Sequence, residues 1–300
     1  MITVKIHGGL GNQMFQYAMA RALSLRKGDR FLIDPSSLYD PTPWKHYTFR
    51  NYALNKVFAI DPIFNAPAIF ESAVRIPYFA KAFNKYYPRI LGVLGYWKYI
   101  QESYAYKFEP SIMTLKGNVY LNGYWQTEKY FKDFEAIIRK DFSFRHPLGG
   151  AELSIANEIR ETNSVCLNVR RQEIVRDPVI SAIHNVITPT YYKEAVALMK
   201  KKIGDDAVFY IISDEIDWCR KNMRIDGRHI FVSSEYYGVE FRDALNLMSN
   251  CKHFIIPNSS FAWWGAWLSQ NTDKIVIAPK KWINNSLGIG DLLPDSWIAI

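Results

Sequence analysis

The sequence predicts an α/β fold, and three observations support this class. A strand–helix–strand unit opens the chain. A stretch at 145–150, with one proline and two glycines, interrupts both the helical and the strand periodicity. After it, short apolar strands alternate with helices, as in a buried parallel sheet. We therefore predict two domains, residues 1–146 and 147–300, joined at this stretch.

The first half begins with the strand–helix–strand unit, whose helix repeats apolar residues at intervals of three and four. Residues 35 to about 116 are rich in aromatics and prolines, with an apolar run at 76–83, and predict helices and long loops. The predicted elements are strands at 2–7, 30–34 and 118–125 and helices at 13–25 and 128–140.

The second half alternates strands and helices regularly. The predicted strands are 165–169, 207–213, 229–233, 253–257 and 274–278. The predicted helices are 189–202, 215–222, 241–250 and 259–268. Parallel sheets of this kind bind ligands beyond the carboxyl ends of their strands, so polar residues that directly follow a strand are candidate site residues.

The composition is that of a globular, basic protein, with 49% hydrophobic residues, 22% charged residues and a net charge of +8. This balance favours acidic partners such as phosphorylated small molecules, nucleic acids or anionic membranes. The basic residues are scattered and no nucleic-acid-binding motif occurs, so the sequence disfavours a nucleic acid partner.

The sequence also predicts a cytoplasmic location. The N-terminus lacks the features of a signal peptide, and no segment has the apolar length that a membrane span requires. A peripheral contact with a membrane stays open. Cys166, Cys219 and Cys251 lie far apart in apolar surroundings, which indicates reduced core residues rather than disulfides.

Three polar clusters directly follow predicted strands. They are Arg170 with Arg171, Ser213 with Asp214, and the segment 258–260. The arginines suit a diphosphate, because a guanidinium keeps its charge and offers a planar fork of donors. Such a group can also stabilise negative charge on a departing nucleotide.

The alternative for the arginine pair is a role without any ligand, in surface ion pairs with Glu173 or Asp177. The segment 257–264 has two interpretations as well. Backbone N–H groups with the hydroxyls of Ser259 and Ser260 can form an anion site, whereas plain helix capping by Asn258 or Ser259 needs no ligand. The aromatic residues that follow fit either the core or a stacking surface: Phe261, Trp263 and Trp264.

A glycine-rich turn joins the first strand to the first helix. Gly9 and Gly11 let a ligand approach the backbone, and Asn12 and Gln13 offer polar contacts; a tight turn with ordinary capping is the alternative. The third glycine of the dinucleotide fingerprint is replaced by Met14, which disfavours a nicotinamide or flavin cofactor. No metal-binding motif occurs, so we expect neither a cofactor nor a metal.

Five ordered segments together resemble one family. They are HGGLGNQMFQY at 7–17, GYWQTEKYF at 123–131, the segment around Arg170 and Arg171, Ser213-Asp214-Glu215 with Trp218, and MSNCKHFIIPNSSFAWWGA at 248–266. Over nearly its whole length the chain resembles the bacterial α-1,2-fucosyltransferases of glycosyltransferase family eleven.

The resemblance implies a GT-B-like fold, in which two Rossmann-like domains face a cleft. It implies GDP-fucose as donor, a glycan acceptor, transfer to galactose O2 with inversion, and no metal. The N-terminal domain would carry most acceptor contacts and the C-terminal domain would bind the GDP-sugar. It also implies that Arg170 contacts the donor diphosphate and that Ser259 and Ser260 line the donor site.

The chain departs from the family pattern beside the arginines. The family reads His-x-Arg-Arg-Gly-Asp, whereas this chain has Asn168 for the histidine, Gln172 for the glycine and Glu173 for the aspartate. Asparagine forms hydrogen bonds but carries no charge, which puts a base or ribose contact in doubt. A transferase for another GDP-deoxysugar such as GDP-colitose, or a non-catalytic sugar- or nucleotide-binding homologue, therefore remains an alternative.

The expected mechanism is a single displacement, in which an acceptor hydroxyl attacks the anomeric carbon as GDP leaves. Arg170 would neutralise the charge that develops on the phosphate. Glu173 and Asp177 are the local candidates for a general base, and ion pairing with the neighbouring arginines is an equally open interpretation of both.

Overall fold

Two compact units make up the protein in this computed structural model, which describes residues 1–39, 50–60, 86, 97–284 and 288–300. The first unit comprises Met1–Arg145 with Gly290–Pro294, and the second comprises His146–Ile289 with Asp295–Ile300. Each unit contains its own parallel sheet with helices between the strands, so the predicted α/β class with two Rossmann-like domains is confirmed. The cleft between the domains stays a prediction.

The first unit is built on a parallel sheet of four described strands in the order β2-β1-β4-β3. Its described elements are β1 (Ile2–Lys5), α1 (Leu10–Lys27), β2 (Phe31–Asp34), α2 (Ser36–Tyr39), α3 (Leu54–Val57), β3 (Lys98–Gln101), β4 (Val119–Asn122) and α4 (Glu135–Asp141). β1 lies between β2 and β4, and its apolar side chains are fully buried. The glycine-rich turn therefore starts from the middle of the sheet.

The helix α1 is longer than predicted at both ends. It begins at Leu10, directly after Gly9, and ends at Lys27. The C-cap is Gly28, whose φ of 62° is left-handed and whose N–H donates to the carbonyl groups of Leu25 and Ser24. Glycine adopts this conformation without a steric penalty, so it terminates the helix cleanly. The predicted strands at 2–7, 30–34 and 118–125 all exist but are shorter than expected.

The predicted helix at 128–140 is wrong in its first half. Glu128–Tyr130 and Lys132–Phe134 are 3₁₀ turns, and α4 begins only at Glu135. The buried Phe131 between the two turns has φ −130° and ψ 2°, which interrupts the helical backbone. Much of the irregular region, including the apolar run at 76–83, lies outside the described residues.

The second unit is built on a parallel sheet in the order β10-β9-β8-β5-β6-β7. Its strands are β5 (Ser164–Val169), β6 (Val208–Ser213), β7 (Arg228–Phe231), β8 (His253–Ile255), β9 (Val276–Ala278) and β10 (Ile298–Ala299). Its helices are α5 (Gly150–Glu161), α6 (Gln172–Arg176), α7 (Pro178–His184), α8 (Pro189–Ile203), α9 (Ile216–Asn222), α10 (Arg242–Ser249) and α11 (Ser260–Leu268). Every predicted strand and helix of this half is present.

One segment corrects the predicted domain boundary. Gly290–Pro294 belongs to the first unit although it was assigned to the C-terminal domain. Asp291 holds it there, because its carboxylate accepts hydrogen bonds from Lys129 Nζ at 2.6 Å and from the backbone N–H of Phe108 at 2.8 Å. Its own N–H binds the carbonyl of Tyr106 at 2.6 Å. The chain returns here to the first unit for only five residues, and such a return leaves no periodic pattern in the sequence.

The hydrogen bonds of Asp291 give a first prediction. Asp291→Ala should lower the free energy of unfolding by about 1 kcal/mol, a modest value because Lys129 is 39% exposed. Chemical denaturation measures this change. The exposed Asp295 provides the control, since Asp295→Ala should leave the free energy of unfolding unchanged.

The same interaction has a defined pH dependence. Burial acts to raise the pKa of Asp291, but the hydrogen bonds from Lys129 and Phe108 outweigh it, so the pKa lies below its ordinary value. Because its pKa is lowered on folding, Asp291 stabilises the fold fully above the unfolded-state pKa of about 3.9. This stabilisation is lost as pH falls through the lower, folded-state pKa. The wild type and Asp291→Ala should therefore converge in stability in acid, and a constant difference down to low pH would contradict this assignment.

Candidate active site

The strand register of the second unit brings the three predicted polar clusters to one edge of the sheet. Val169 pairs with Ser213, so the next residues, Arg170 and Asp214, leave the edge side by side. On the other flank Leu167 pairs with Ile255, so the segment that leads to Asn258 leaves the same edge beside the segment that leads to Arg170. Arg170 therefore stands between Asp214 and Asn258, at the carboxyl ends where ligands of such sheets bind.

The two arginines have different environments. The guanidinium of Arg171 lies 3.5 Å above the ring of Trp218, and its Nε is 3.5 Å from a carboxylate oxygen of Glu215. Its backbone N–H also donates to Asp214 Oδ1 at 2.8 Å. Arg171 is thus engaged with the protein, through Trp218, Glu215 and Asp214. Arg170, which is partly exposed, occupies the edge position itself.

The two predicted general bases are placed differently. Asp177 caps the start of α7, where its carboxylate accepts hydrogen bonds from the N–H groups of Val179 at 2.8 Å and Ile180 at 3.2 Å. Asp177 is therefore a helix N-cap, and its role as a general base stays a prediction. Glu173 lies in α6, two residues after Arg171, and its side chain is outside the described part of the structure.

Asn168, at the family's histidine position, acts as a brace inside the sheet. It is buried, and its Nδ2 donates to the carbonyl of Ile212 at 2.9 Å, which links β5 to β6. Its own carbonyl accepts a hydrogen bond from Tyr192 at 3.2 Å. The neutral amide is suited to this buried position, where a charged histidine would be costly.

Ser213 and Tyr237 form a second brace, which sequence reasoning missed. The hydroxyl of Tyr237 accepts from the N–H of Ser213 at 3.0 Å and lies 2.9 Å from the Ser213 carbonyl. Burial raises the pKa of Tyr237, so the hydroxyl stays protonated. The Oγ of Ser213 accepts from the N–H of Glu215 at 3.0 Å. These contacts fix the backbone from which Asp214 projects.

The start of α11 combines capping with a polar atom that has no protein partner. Ser259 caps the helix by accepting from the N–H of Ala262 at 3.4 Å, so the capping interpretation is correct for Ser259. The Nδ2 of Asn258 donates to the carbonyls of Trp282 at 2.7 Å and His184 at 3.0 Å. None of the described residues hydrogen-bonds its buried Oδ1, which leaves one acceptor atom unpaired among them.

The aromatic residues of α11 divide between the two predicted roles. Trp263 and Trp264 are fully buried and pack edge-to-face against each other, and both contact Trp267, so they form core. Ser260 and Phe261, in the first turn, are partly exposed. Phe261 contacts the exposed Phe241, with ring centroids 6.5 Å apart. These two phenylalanines are the stacking candidates near the sheet edge.

The glycine-rich turn of the first unit is largely occupied by its own contacts. Gln13 is fully buried and donates to the carbonyls of Gly8 and Asn51 while accepting from the N–H of Ala53. It is therefore a structural brace within the first unit, and its contact with the donor stays a prediction. Asn12 accepts a hydrogen bond from Gln126 at 2.8 Å.

The two glycines of this turn also differ. Gly9 is partly exposed and begins α1 without a side-chain cap, whereas Gly11 is buried inside the first turn. The residues predicted to bind the donor are thus divided between the two units.

Two absences hold for the part of the chain that the structure describes. Within it no group of three His, Cys, Asp or Glu side chains is arranged to hold a metal ion. Within the same residues no helix has both the length and the apolar character needed to cross a bilayer.

The Tyr237 brace gives a second prediction. Tyr237→Phe should lower the free energy of unfolding by about 1–2 kcal/mol, because the N–H of Ser213 then stays buried without an acceptor. Chemical denaturation measures the loss. The neighbouring Tyr236 is less buried, so Tyr236→Phe is the matched control and should change stability little; equal losses in the two variants would argue against the brace.

Comparison with known proteins identifies the family. The family model of glycosyl transferase family 11 matches residues 96–298. The protein is 32% identical to an alpha-1,2-colitosyltransferase from Escherichia coli, over 100% of this chain and 99% of the relative. It is 25% identical to the galactoside 2-alpha-L-fucosyltransferase Sec1 of Mus musculus, over 90% of this chain and 64% of the relative.

A solved structure supports the fold alone. A mutant of Arabidopsis thaliana FUT1 in complex with GDP is similar with a TM-score of 0.50 and 11% identity, covering 89% of this chain and 68% of that chain. The family model spans more than half of the 300 residues, and the Escherichia coli relative aligns over the full length. The chain therefore belongs to glycosyl transferase family 11.

Proposed function

We propose that this glycosyltransferase is an inverting, metal-independent enzyme that uses a GDP-activated deoxysugar. Its proposed donor is GDP-fucose, and its proposed acceptor is a glycan hydroxyl, O2 of a galactose in an oligosaccharide or a lipid-linked saccharide. One observation carries the proposal. Arg170 leaves the sheet edge between Asp214 and Asn258, at the end from which the chain enters α11.

The proposed diphosphate site combines Arg170 with the first turn of α11. A guanidinium pairs with phosphate oxygens through two parallel hydrogen bonds and keeps its charge at every physiological pH. The first-turn N–H groups of a helix, here at Ser260 and Phe261, also attract an anion. Both contributions act without a metal ion, which supports a metal-independent reaction.

The proposed chemistry is a single displacement. The acceptor oxygen forms a bond to the anomeric carbon as the bond to the β-phosphate oxygen breaks, and the electron pair leaves with GDP. Arg170 stabilises the negative charge on that oxygen as it develops. The acceptor proton passes to a base; because Asp177 already caps α7, it is the weaker of the two predicted candidates.

The donor sugar has two candidates, each with a specific observation in its favour. The resemblance to fucosyltransferases supports GDP-fucose. The 32% identity to an alpha-1,2-colitosyltransferase supports GDP-colitose, whose sugar lacks the 3-hydroxyl of fucose. The buried brace formed by Asn168, where the family pattern has histidine, is compatible with either donor.

A cytoplasmic location is proposed from the cysteines. Cys166, Cys219 and Cys251 are all free and buried, as expected of reduced core thiols in a reducing compartment. Burial raises the pKa of Cys219, so this thiol is not activated for reaction.

The role of Arg170 gives a third prediction. Arg170→Ala should reduce kcat at least about a hundredfold, the scale of losing one preorganised group that stabilises charge in the transition state. Release of GDP in the presence of a galactoside acceptor measures this. The matched control is Arg176→Ala, because Arg176 is 67% exposed on the neighbouring helix and lies 3.9 Å from Glu215. A kcat near normal in Arg170→Ala would refute the assignment.

The choice of donor gives a fourth prediction. A pocket that hydrogen-bonds the 3-hydroxyl should prefer GDP-fucose over GDP-colitose by at least about a hundredfold in kcat/KM, because the analogue leaves a buried polar group unpaired. Parallel assays of both donors with one set of galactosides measure the ratio. The opposite preference would assign GDP-colitose as donor. Absence of GDP release with both donors would favour the non-catalytic homologue.

A further inference from the structure

The carboxyl edge of the first sheet carries a second cluster, which the proposed donor site does not use. Strands β1, β4 and β3 are neighbours, and the segments that follow them leave the same edge of the sheet. They contribute His7 after β1, the loop 123–126 after β4, and Glu102 after β3. The loop lies in the GYWQTEKYF segment at 123–131 that supported the family resemblance.

The loop presents one aromatic ring outward. Tyr124 is 41% exposed, whereas Gly123 before it is buried and Trp125 after it is fully buried. Trp125 has a left-handed backbone with φ 56°, which is rare for a bulky residue and costs on the order of 1–2 kcal/mol. The chain therefore accepts strain to bury Trp125 and turn Tyr124 outward.

Glu102 holds the loop in this conformation. One carboxylate oxygen accepts from the N–H of Tyr124 at 2.7 Å, and the other accepts from the N–H of Trp125 at 3.0 Å. A side chain at Gly123 would bring its Cβ to 2.4 Å from the Cβ of Glu102, so glycine is required for this approach. Two hydrogen bonds to a charged group are strong enough to offset the strain at Trp125. The orientation of Tyr124 is thus fixed before any ligand binds.

His7 packs against this ring and brings a polar atom with it. The two ring centroids are 4.3 Å apart. Burial is the main reason that the pKa of His7 falls to about 4, so the imidazole is neutral at pH 7. It hydrogen-bonds the backbone of Gly123, while none of the described residues hydrogen-bonds its shielded Nε2. A sugar hydroxyl that reaches Nε2 would satisfy this atom.

We propose that Tyr124 and His7 bind a neutral pyranose ring of the acceptor, and that Glu102 positions the loop that carries Tyr124. This inference rests on the proposed transferase function. The exposed tyrosine offers an apolar face to the C–H groups of a sugar, and the neutral imidazole offers a hydrogen bond to a hydroxyl. A galactose fits this pairing well, because its axial O4 leaves one face of the ring lined with C–H groups.

The kinetic test compares the KM of the acceptor with the KM of the donor. Tyr124→Ala should raise the KM for lactose about tenfold, the effect of losing one stacked ring, and should leave the KM for the GDP-sugar within twofold. Tyr124→Phe keeps the ring and should restore the lactose KM to near normal. The control is Tyr104→Ala. Tyr104 is also an exposed tyrosine of the first unit, at 59%, but its ring contacts Lys107 instead of His7.

Two more variants separate the polar contact from the positioning role. His7→Phe keeps a ring against Tyr124 but removes the nitrogen atoms, so the lactose KM should rise at least about fivefold. Glu102→Gln keeps the shape but weakens the grip on the two N–H groups, and the KM for lactose should rise more than the KM for the donor. A change confined to the donor KM in these variants would overturn the proposal and point to a nucleobase on the ring.

A binding measurement keeps this inference separate from the proposed function. Saturation-transfer NMR with lactose requires no turnover, and it should detect contact in the wild type and in Tyr124→Phe but not in Tyr124→Ala. Circular dichroism checks that all three proteins are folded. If neither GDP-sugar is turned over while lactose binding still depends on Tyr124, the proposed function fails and the sugar site stands. Equal lactose signals in Tyr124→Ala and wild type would overturn the sugar site.

Discussion

The parallel register of β5 with its two neighbours is the constraint on which the candidate active site depends. All six residues of β5 are buried, and the strand is hydrogen-bonded to β6 on one side and β8 on the other. A slip by one residue would exchange the faces of Arg170 and Arg171 and move Asp214 and Asn258 out of line. The apolar side chains on both faces of the strand oppose such a slip, because each would lose its packing.

Arg171 fixes the backbone beside Arg170. Arg171 is fixed by its stacking on Trp218 and its approach to Glu215, and its N–H binds Asp214. These contacts pin the chain directly after Arg170, so the neighbouring guanidinium starts from a fixed backbone. Charge stabilisation in catalysis depends on such preorganisation, since a group that must first be ordered loses much of its effect. In the proposed function, Arg171 therefore holds the backbone and Arg170 binds the diphosphate.

The elements of the second unit were easier to predict than those of the first. Apolar periodicity is a local signal, and the central strands of the second unit carry it along their whole length. The strands β5 and β6 are buried along their whole length and were located to within one residue. β3 was missed, because three of its four residues are exposed and it carries no apolar run. The attachment of Gly290–Pro294 to the first unit depends on contacts with residues far away in the chain, which no local pattern reports.

Residue type alone did not reveal which polar side chains form braces inside their own unit. Gln13 and Asn168 are polar residues in the right segments, but their amide groups bond to the backbone of the same unit. Tyr237 is the opposite case. Its position in a loop does not indicate that its hydroxyl hydrogen-bonds both backbone groups of Ser213, the last residue of β6. Where a side chain finds its hydrogen bonds is decided by tertiary structure, which the sequence does not display directly.

The buried polar atoms without partners provide a better criterion, provided that their position is considered too. Thr3 Oγ1 has no hydrogen bond from any described residue, but it lies inside β1 and is fully buried, where no ligand can reach it. Asn258 Oδ1 and His7 Nε2 are equally unpaired among those residues and lie just beyond the carboxyl ends of β8 and β1. An unpaired buried atom lowers stability, and in the two proposals a substrate supplies the missing contact. The two atoms thus mark one candidate substrate edge in each unit, as transfer between two substrates requires.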